Sequence, residues 1–365
     1  MKNQYLSFRR LFTLVSFCFC AIAIQAQVIT PFSLRKQVTQ RGGIRIVGNT
    51  VTTCSGVGCV AGQAEVAPAG TSTNNGFTAA YIDIDSDGTT FSSSSDALAL
   101  SSCSEVTWAG LYWGGEINSA AANYATRNQV KIKTNTGSYV SLTADNIQDN
   151  AVGFDTYHCF KDVTSIIQAG GNAVYMVGNV AVRVGGTNRF GGWCLVVMYK
   201  NDLEPMRSLN VFNGLSNVSG SNPISDITVS GFLTPLSGPV SFELGALTYD
   251  GDRSSTGDQL TFNGGNGFVN ISDAVNPLND IFNSTFSYNG VTSTTRTPSY
   301  NNTLGVDADI FVPNNAAKNY IGNSATSATI RLTTGGETFL TQMVTLAIDV
   351  YEPDLRLKRR YTDIN

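Results

Sequence analysis

Apolar and polar residues alternate in short runs along most of this chain, and glycine, asparagine and aspartate break the runs before a helix period develops. Strand-like runs occupy 44–51, 78–85, 106–113, 129–133, 173–184, 193–199, 208–212, 227–229, 240–249, 259–262, 328–332 and 343–350. In the second of these, Ala80, Ile82 and Ile84 fall on one side, as the two-residue period of a half-buried strand requires. Turn pairs such as Asn49-Thr50, Asp87-Gly88, Gly170-Gly171 and Asn289-Gly290 separate the runs. Only 162–168 has the make-up of one or two helical turns. Many short strands with frequent Gly and Asn turns predict an all-β fold, a sandwich or jelly roll.

The pattern is repeated. Trp108-Ala-Gly-Leu-Tyr-Trp-Gly114 is followed by Asn128-Gln-Val-Lys-Ile132, a long middle, and an apolar strand at 193–199 with Pro205 beyond it. Leu244-Gly-Ala-Leu-Thr-Tyr-Asp250 is followed by Asp258-Gln-Leu-Thr-Phe262, a long middle, and an apolar strand at 343–350 with Pro353 beyond it. The shared order predicts two tandem β-sandwich, jelly-roll-like modules related by duplication. The first covers 27–202 with an N-terminal extension and the second covers 203–354, leaving a basic tail at 355–365.

Residues 107–115 carry the densest aromatic pattern. On a strand, Trp108, Gly110 and Tyr112 share one face and Ala109, Leu111 and Trp113 the other. One set is expected to fill a core. Trp113, next to Gly114-Gly115 at the strand end, is the candidate ligand contact, because an exposed indole stacks on sugar rings. The echo in the second module keeps the strand and loses both tryptophans, which marks the motif as chiefly architectural.

The first residues add an address. Lys2, Arg9 and Arg10 precede an uncharged apolar run at 11–24, and Gln25-Ala26-Gln27 offers a cleavage point after Ala26. This is the layout of a secretory signal peptide over 1–26. The run falls short of the ~20 residues of a membrane-spanning helix, and no later segment is long and apolar enough. Loss of Lys2, Arg9 and Arg10 leaves 20 Lys and Arg against 27 Asp and Glu, so the charge moves from −4 to −7. An acidic chain of this kind argues against nucleic acid or an anionic membrane as partner.

Export to an oxidising compartment makes disulfides the default for Cys54, Cys59, Cys103, Cys159 and Cys194. Cys54 and Cys59 bracket a Gly-rich turn and are expected to close a small loop. Cys194 lies in an apolar strand and reads as a buried free thiol, so by elimination Cys103 would pair with Cys159. With a single histidine and no C-x-x-C pair, thiolate–zinc chemistry is disfavoured.

Catalytic signatures are thin. His158 is the only imidazole; beside a disulfide-bonded Cys159 it reads as a surface or hydrogen-bonded residue. No nucleophile elbow, P-loop or zincin motif occurs. Asp83, Asp85 and Asp87, followed by Gly88, have the carboxylate spacing of a calcium loop, but position 12 is Ser94 where a bidentate Glu is needed. Asp250, Asp252 and Asp258 form a second acidic cluster. Both are candidate calcium sites, calcium being the one cofactor the sequence suggests.

Taken together, several stretches resemble the N-terminal head of large secreted surface adhesins of Bacteroidetes-type bacteria. They are Arg41-Gly-Gly-Ile-Arg-Ile-Val-Gly-Asn49, Tyr81-Ile-Asp-Ile-Asp-Ser-Asp87, Thr90-Phe-Ser-Ser-Ser-Ser-Asp96, Trp108-Ala-Gly-Leu-Tyr-Trp113, Asp162-Val-Thr-Ser165, Gly192-Trp-Cys-Leu-Val-Val197, Asn302-Thr-Leu-Gly-Val-Asp307, Ala325-Thr-Ser-Ala-Thr-Ile-Arg331 and Asp349-Val-Tyr-Glu-Pro-Asp354. Their order covers nearly all of the chain after the signal. In that family, immunoglobulin-like repeats and a gliding-motility-associated, type IX sorting domain usually follow; neither is seen here after Asp354. The resemblance implies secretion or outer-surface display, supports pairing of Cys103 with Cys159, and places Ser more usually where Cys194 stands. The expected function is a non-enzymatic adhesion or surface-interaction role toward cell-surface or extracellular polymers. The alternative is a carbohydrate-active protein, either a glycan-binding module or a glycoside hydrolase.

Overall fold

The computed structural model describes residues 27–55, 73–76, 78–150 and 155–353. The expected signal peptide, Cys59 and the basic tail lie outside them. The first half contains β1 (Gln27–Thr50), β2 (Thr52–Ser55), β3 (Thr78–Tyr81), β4 (Ser93–Leu98), β5 (Glu105–Glu116), β6 (Gln129–Thr134), β7 (Val140–Thr143), β8 (Asn146–Asn150) and β9 (Thr156–Asp162). A short helix α1 (Thr164–Gly170), β10 (Ala173–Gly178) and β11 (Gly191–Lys200) complete it. The second half contains β12 (Met206–Val218), β13 (Ile224–Ser230), β14 (Phe242–Tyr249), β15 (Gln259–Asn263), β16 (Val269–Ile271), β17 (Phe286–Tyr288), β18 (Val291–Thr292), β19 (Val306–Phe311), β20 (Ser327–Thr333) and β21 (Phe339–Asp349). No helix among the described residues is long and apolar enough to cross a membrane.

Strand order repeats between the halves. In the first, β1-β11-β5-β9 form one antiparallel sheet and β4-β10-β6-β7 the other; in the second, β12-β21-β14-β19 and β13-β20-β15-β16 do the same. Numbering the eight strands of each half in chain order, both sheets are 1-8-3-6 and 2-7-4-5, the wiring of a jelly roll made of two Greek keys. The halves differ at the outer edge, where β8 runs antiparallel to β9 but β17 runs parallel to β19.

The two 1-8-3-6 sheets are one continuous sheet because β1 belongs to both. Its residues 42–50 pair with β11, and its residues 27–41 pair with β12 along the other edge. The partner changes at Gly42, which has φ of +139° and whose missing Cβ would otherwise strike the carbonyl oxygen of Tyr199. An L side chain is excluded there by conformation and by space together. Gly42→Ala is expected to destabilise the fold by about 1–3 kcal/mol, read as a lower urea midpoint; an unchanged midpoint would mean that the crossing is not strained.

Three cores follow. Ala109, Leu111, Trp113, Leu195, Val197, Val130, Ile132, Tyr175 and Val177 fill the first sandwich. Phe242, Leu244, Phe262, Ile330, Leu332, Val344 and Leu346 fill the second. The third lies on the opposite face of the shared sheet: Trp108, Tyr112, Cys194 and Val196 from one half meet Leu209, Leu247, Tyr249 and Met343 from the other. The folded sheet is thus the two inner layers of four. Polar contacts cross this junction. Tyr112 Oη donates to Asn213 Oδ1 at 2.7 Å, and Gln342 Nε2 donates to the Cys159 carbonyl at 2.9 Å.

Candidate functional site

The indoles are the first expectation to change. Trp113 and Trp193 have no exposed surface and Trp108 is 4% exposed. Trp113 Nε1 donates to the Arg127 carbonyl at 3.0 Å, Trp193 Nε1 to Ser94 Oγ at 2.9 Å, and Trp108 Nε1 to Asp162 Oδ2 at 2.9 Å. Trp113 therefore offers no face to a ligand. The expected strand alternation is present, but both faces of β5 are buried, one in its own sandwich and one against the other module.

The cysteine pairing also changes. Cys159 is buried on β9 opposite Trp113, while Cys103 is exposed in the turn that precedes β5; both thiols are free. Glu105 to Trp113 of β5 alone spans roughly 27 Å at strand rise, far beyond disulfide reach. Cys194 is free and buried, as expected. Cys54 is disulfide-bonded, and Cys59, its expected partner, lies outside the described residues. Nor is His158 a surface or hydrogen-bonded residue. It is fully buried at the module junction, edge-on to Tyr249 with ring centroids 4.8 Å apart, and neither ring nitrogen has a hydrogen-bond partner.

The two acidic candidates differ. In the 83–87 loop the carboxylates are occupied by protein donors. Asp85 takes Tyr139 Oη at 2.5 Å and Lys133 Nζ at 3.1 Å, Asp83 takes Ser93 Oγ at 2.7 Å, and Asp87 takes the Thr89 hydroxyl at 2.7 Å. Despite some burial, those donors and Lys133 hold Asp85 well below the usual carboxylate range.

In the second module the acids gather at one end of the jelly roll. Asp250, Asp252 and Asp258 lie on the β14–β15 loop, Asp280 on the β16–β17 loop and Glu337 on the β20–β21 loop, three loops that the jelly-roll wiring brings to the same end. Backbone bonds tie them together: Gly257 N donates to Asn279 O and Gly335 N to Gly257 O, both at 2.9 Å. The carboxylates accept neighbouring amides. Asp252 N donates to Glu337 Oε1 at 2.6 Å, Phe282 N to Asp258 Oδ2 at 2.6 Å, and Ser254 N to Asp280 Oδ2 at 3.0 Å. Of their other oxygens, Asp280 Oδ1 is buried without a hydrogen-bond partner, whereas the Asp258 and Glu337 carboxyls hydrogen-bond each other when one of them carries the proton. The first module reaches into the cluster through its Asn74–Gly76 turn. Asn74 N and Asn75 Nδ2 donate to Asp252 at 3.2 and 2.8 Å, and Asn74 Nδ2 approaches Asp250 at 3.4 Å.

Asp280 and Glu337 were not singled out in the sequence, because only the wiring brings distant loops together. Asp307 and Asp309 of β19 were missed too. They alternate with Val306 and Ala308 and turn inward, where Thr285 N and Ser287 Oγ donate to them at 3.0 and 2.5 Å. An alternating V-D-A-D-I-F run was the available signal.

Burial, followed by the Asp258 charge, pushes Glu337 up to about 10. Burial raises Asp252 and Asp280 to about 6 and holds Asp250 well above the carboxylate range. These groups bind protons more readily folded than unfolded. Their contribution to stability is complete below about pH 4 and is lost as pH rises through 6 for Asp252 and Asp280. The same end of the first module is built differently. There Glu116, at the end of β5, is held by Arg183 and by Arg189 at 3.1 Å.

Beside the acids, and sharing Asp280 with them, Arg253, Asn283, Thr292 and Asn301 line a cleft of about 430 Å³ with Ala274, Val275 and Pro277 on its apolar side. Arg253 Nε donates to the Asn283 carbonyl at 3.3 Å and its Nη2 to that of Asn301. Among the described residues, no three carboxylate, imidazole or thiol groups stand in the geometry of a metal centre.

No protein-family model and no curated protein matches the chain. Among solved structures, it is similar to the glycosylasparaginase PNGase F from Flavobacterium meningosepticum, at 10% identity over 85% of this chain and 97% of that one, with a TM-score of 0.22. It is also similar to the major capsid protein P2 of bacteriophage PM2, at 8% identity over 85% of this chain and 99% of that one, with a TM-score of 0.20. Likenesses this distant carry no conclusion about fold or function.

Proposed function

We propose that this is a secreted, non-enzymatic interaction protein of the adhesion type, which binds a polar extracellular or cell-surface polymer at the loop end of its second module. The observation that carries the reading is the polar cleft beside Arg253. Its volume of about 430 Å³ falls within the range of small-molecule and polymer-segment sites. Amide, hydroxyl and guanidinium groups over a small apolar wall suit a hydroxyl-rich chain such as a glycan. The signal layout and the resemblance to surface-adhesin heads support the extracellular setting.

Binding is favoured over hydrolysis because the cleft lining contains one carboxylate, Asp280, where glycoside cleavage uses two flanking the bond. The test is a glycan array and a cell-binding assay on wild type and Ala274→Trp. Ala274 is exposed on the cleft wall, so the indole fills the cleft without entering a core. Binding is expected to fall at least about tenfold, equivalent to about 1.4 kcal/mol, at unchanged Tm. Binding that ignores the block, or release of reducing sugar from the bound glycan, would overturn the reading.

A further inference from the structure

We infer that the bound polymer continues from the Arg253 cleft across the edge strand β18 into a second cleft at the module junction, so that both modules hold successive segments of one neutral, hydroxyl-rich chain. This rests on the polymer-binding reading and extends it.

The second cleft, of about 370 Å³, has walls from both modules. Ile46, Val47 and Asp96 come from the first, and Phe286, Tyr288 and Val291 from the second. Ligand sites favour such boundaries between domains. Thr292 lines both clefts, and its strand β18 is the outermost strand of the shared sheet. In the hairpin, Tyr288 stands opposite Val291 and Ser287 opposite Thr292. Alternation turns the first pair to the junction, where Phe286 also packs. It turns the second pair the other way, where Asn276 Nδ2 donates to Ser287 Oγ at 3.0 Å. A chain leaving one cleft therefore has a single strand, roughly 5 Å across, to pass before it enters the other.

Bonds between the modules fix the walls. Thr295 Oγ1 donates to Asp96 Oδ1 at 2.6 Å and Gly48 N to Asp96 Oδ2 at 3.0 Å, while Ser95 and Thr297 exchange backbone bonds at 2.9 and 2.8 Å. Walls held in this way lower the ordering cost of binding. Tyr288, 37% exposed, is braced by the Arg45 guanidinium at 4.5 Å from the ring centre, and Val291 is 68% exposed. Tyr288 thus offers the aromatic surface that the buried tryptophans do not, and Ser293 and Thr294 add hydroxyls to the same cleft. Charge sets the class of polymer. Among the described residues, the second cleft is lined by Asp96 and no cation, and the first sets Arg253 against Asp280. An anionic chain would find no surplus positive charge along this path, so a neutral one fits.

The probes are the disaccharide and the hexasaccharide of the neutral glycan that scores highest on the array, with affinity read by titration calorimetry. Wild type is expected to bind the hexasaccharide at least about tenfold more tightly, because the second cleft captures a segment already tethered in the first. Thr294→Trp places an indole in the second cleft from an exposed position. It should abolish that gain and leave disaccharide binding unchanged, whereas Ala274→Trp should weaken both probes. Should Thr294→Trp fail to fold, Val291→Trp provides the same block. A length advantage that survives the junction block overturns the extension and leaves the Arg253 cleft as the whole site. A preference for acidic glycans on the array overturns the neutral-chain assignment. Failure of wild type to bind any glycan overturns the polymer-binding reading along with this one.

Discussion

Trp113→Ala is expected to lower stability by about 3–5 kcal/mol, the usual range for removing a large aromatic from a closed core. The indole has no exposed surface and packs in the first sandwich with Leu111, Leu195 and Val197. Its loss leaves a cavity and strips the Arg127 carbonyl of a donor that stands at 3.0 Å. The corresponding fall in Tm is on the order of 10 °C. Trp113→Phe keeps an aromatic ring but loses the N–H and part of the indole volume, so an intermediate cost of about 1–3 kcal/mol is expected. Urea denaturation of the three proteins provides the measurement. If Trp113→Ala kept its Tm but abolished polymer binding, the indole would have to be a recognition surface after all.

Acid should act on the module junction through His158. Burial alone holds its imidazole down to about 3, against about 6.5 in an unfolded chain. Above about pH 6.5 the ring is neutral in both states and contributes no pH dependence. Below it the unfolded chain takes up a proton that the folded protein refuses, so stability falls by about 1.4 kcal/mol per pH unit, reaching on the order of 4 kcal/mol near pH 3. Asp252, Asp280 and Asp309, each raised to about 6, act with opposite sign over the upper part of this window. The difference between wild type and His158→Phe isolates the imidazole, since the replacement keeps an aromatic ring against Tyr249. Stability of the two proteins should run parallel above pH 7 and diverge steadily toward pH 4, with the variant less acid-sensitive. Superimposed profiles would show that His158 is solvated in solution.

What was legible at the start was local. The period-two runs located β5, β11, β14 and β21, and the split of Trp108, Gly110 and Tyr112 from Ala109, Leu111 and Trp113 agrees with the faces observed. Strands whose buried side is polar escaped. β4 is Ser-Ser-Ser-Asp over its first four residues and is nevertheless buried, and β19 directs two carboxylates inward. Local polarity says exposed for both, and the hydrogen bonds that satisfy them come from partners far along the chain. Thr295, for example, donates to Asp96 at 2.6 Å.

The pairing of Cys103 with Cys159 failed for the same reason, since elimination among cysteines carries no distance. The acidic site was half visible: Asp250, Asp252 and Asp258 lie within one loop, whereas Asp280 and Glu337 join them only through jelly-roll wiring.

By itself, then, the sequence determined the all-β class, because strand period and turn chemistry are local properties. The tertiary structure alone decided that β1 serves both modules, that the second face of the shared sheet is a core, that the tryptophans are interior and that carboxylates from three loops converge. Each of these depends on which surfaces meet after folding. The free energy of that meeting, in apolar area buried and charge desolvated, is set by residues more than a hundred positions apart, as with Tyr112 and Asn213 or Gln342 and Cys159.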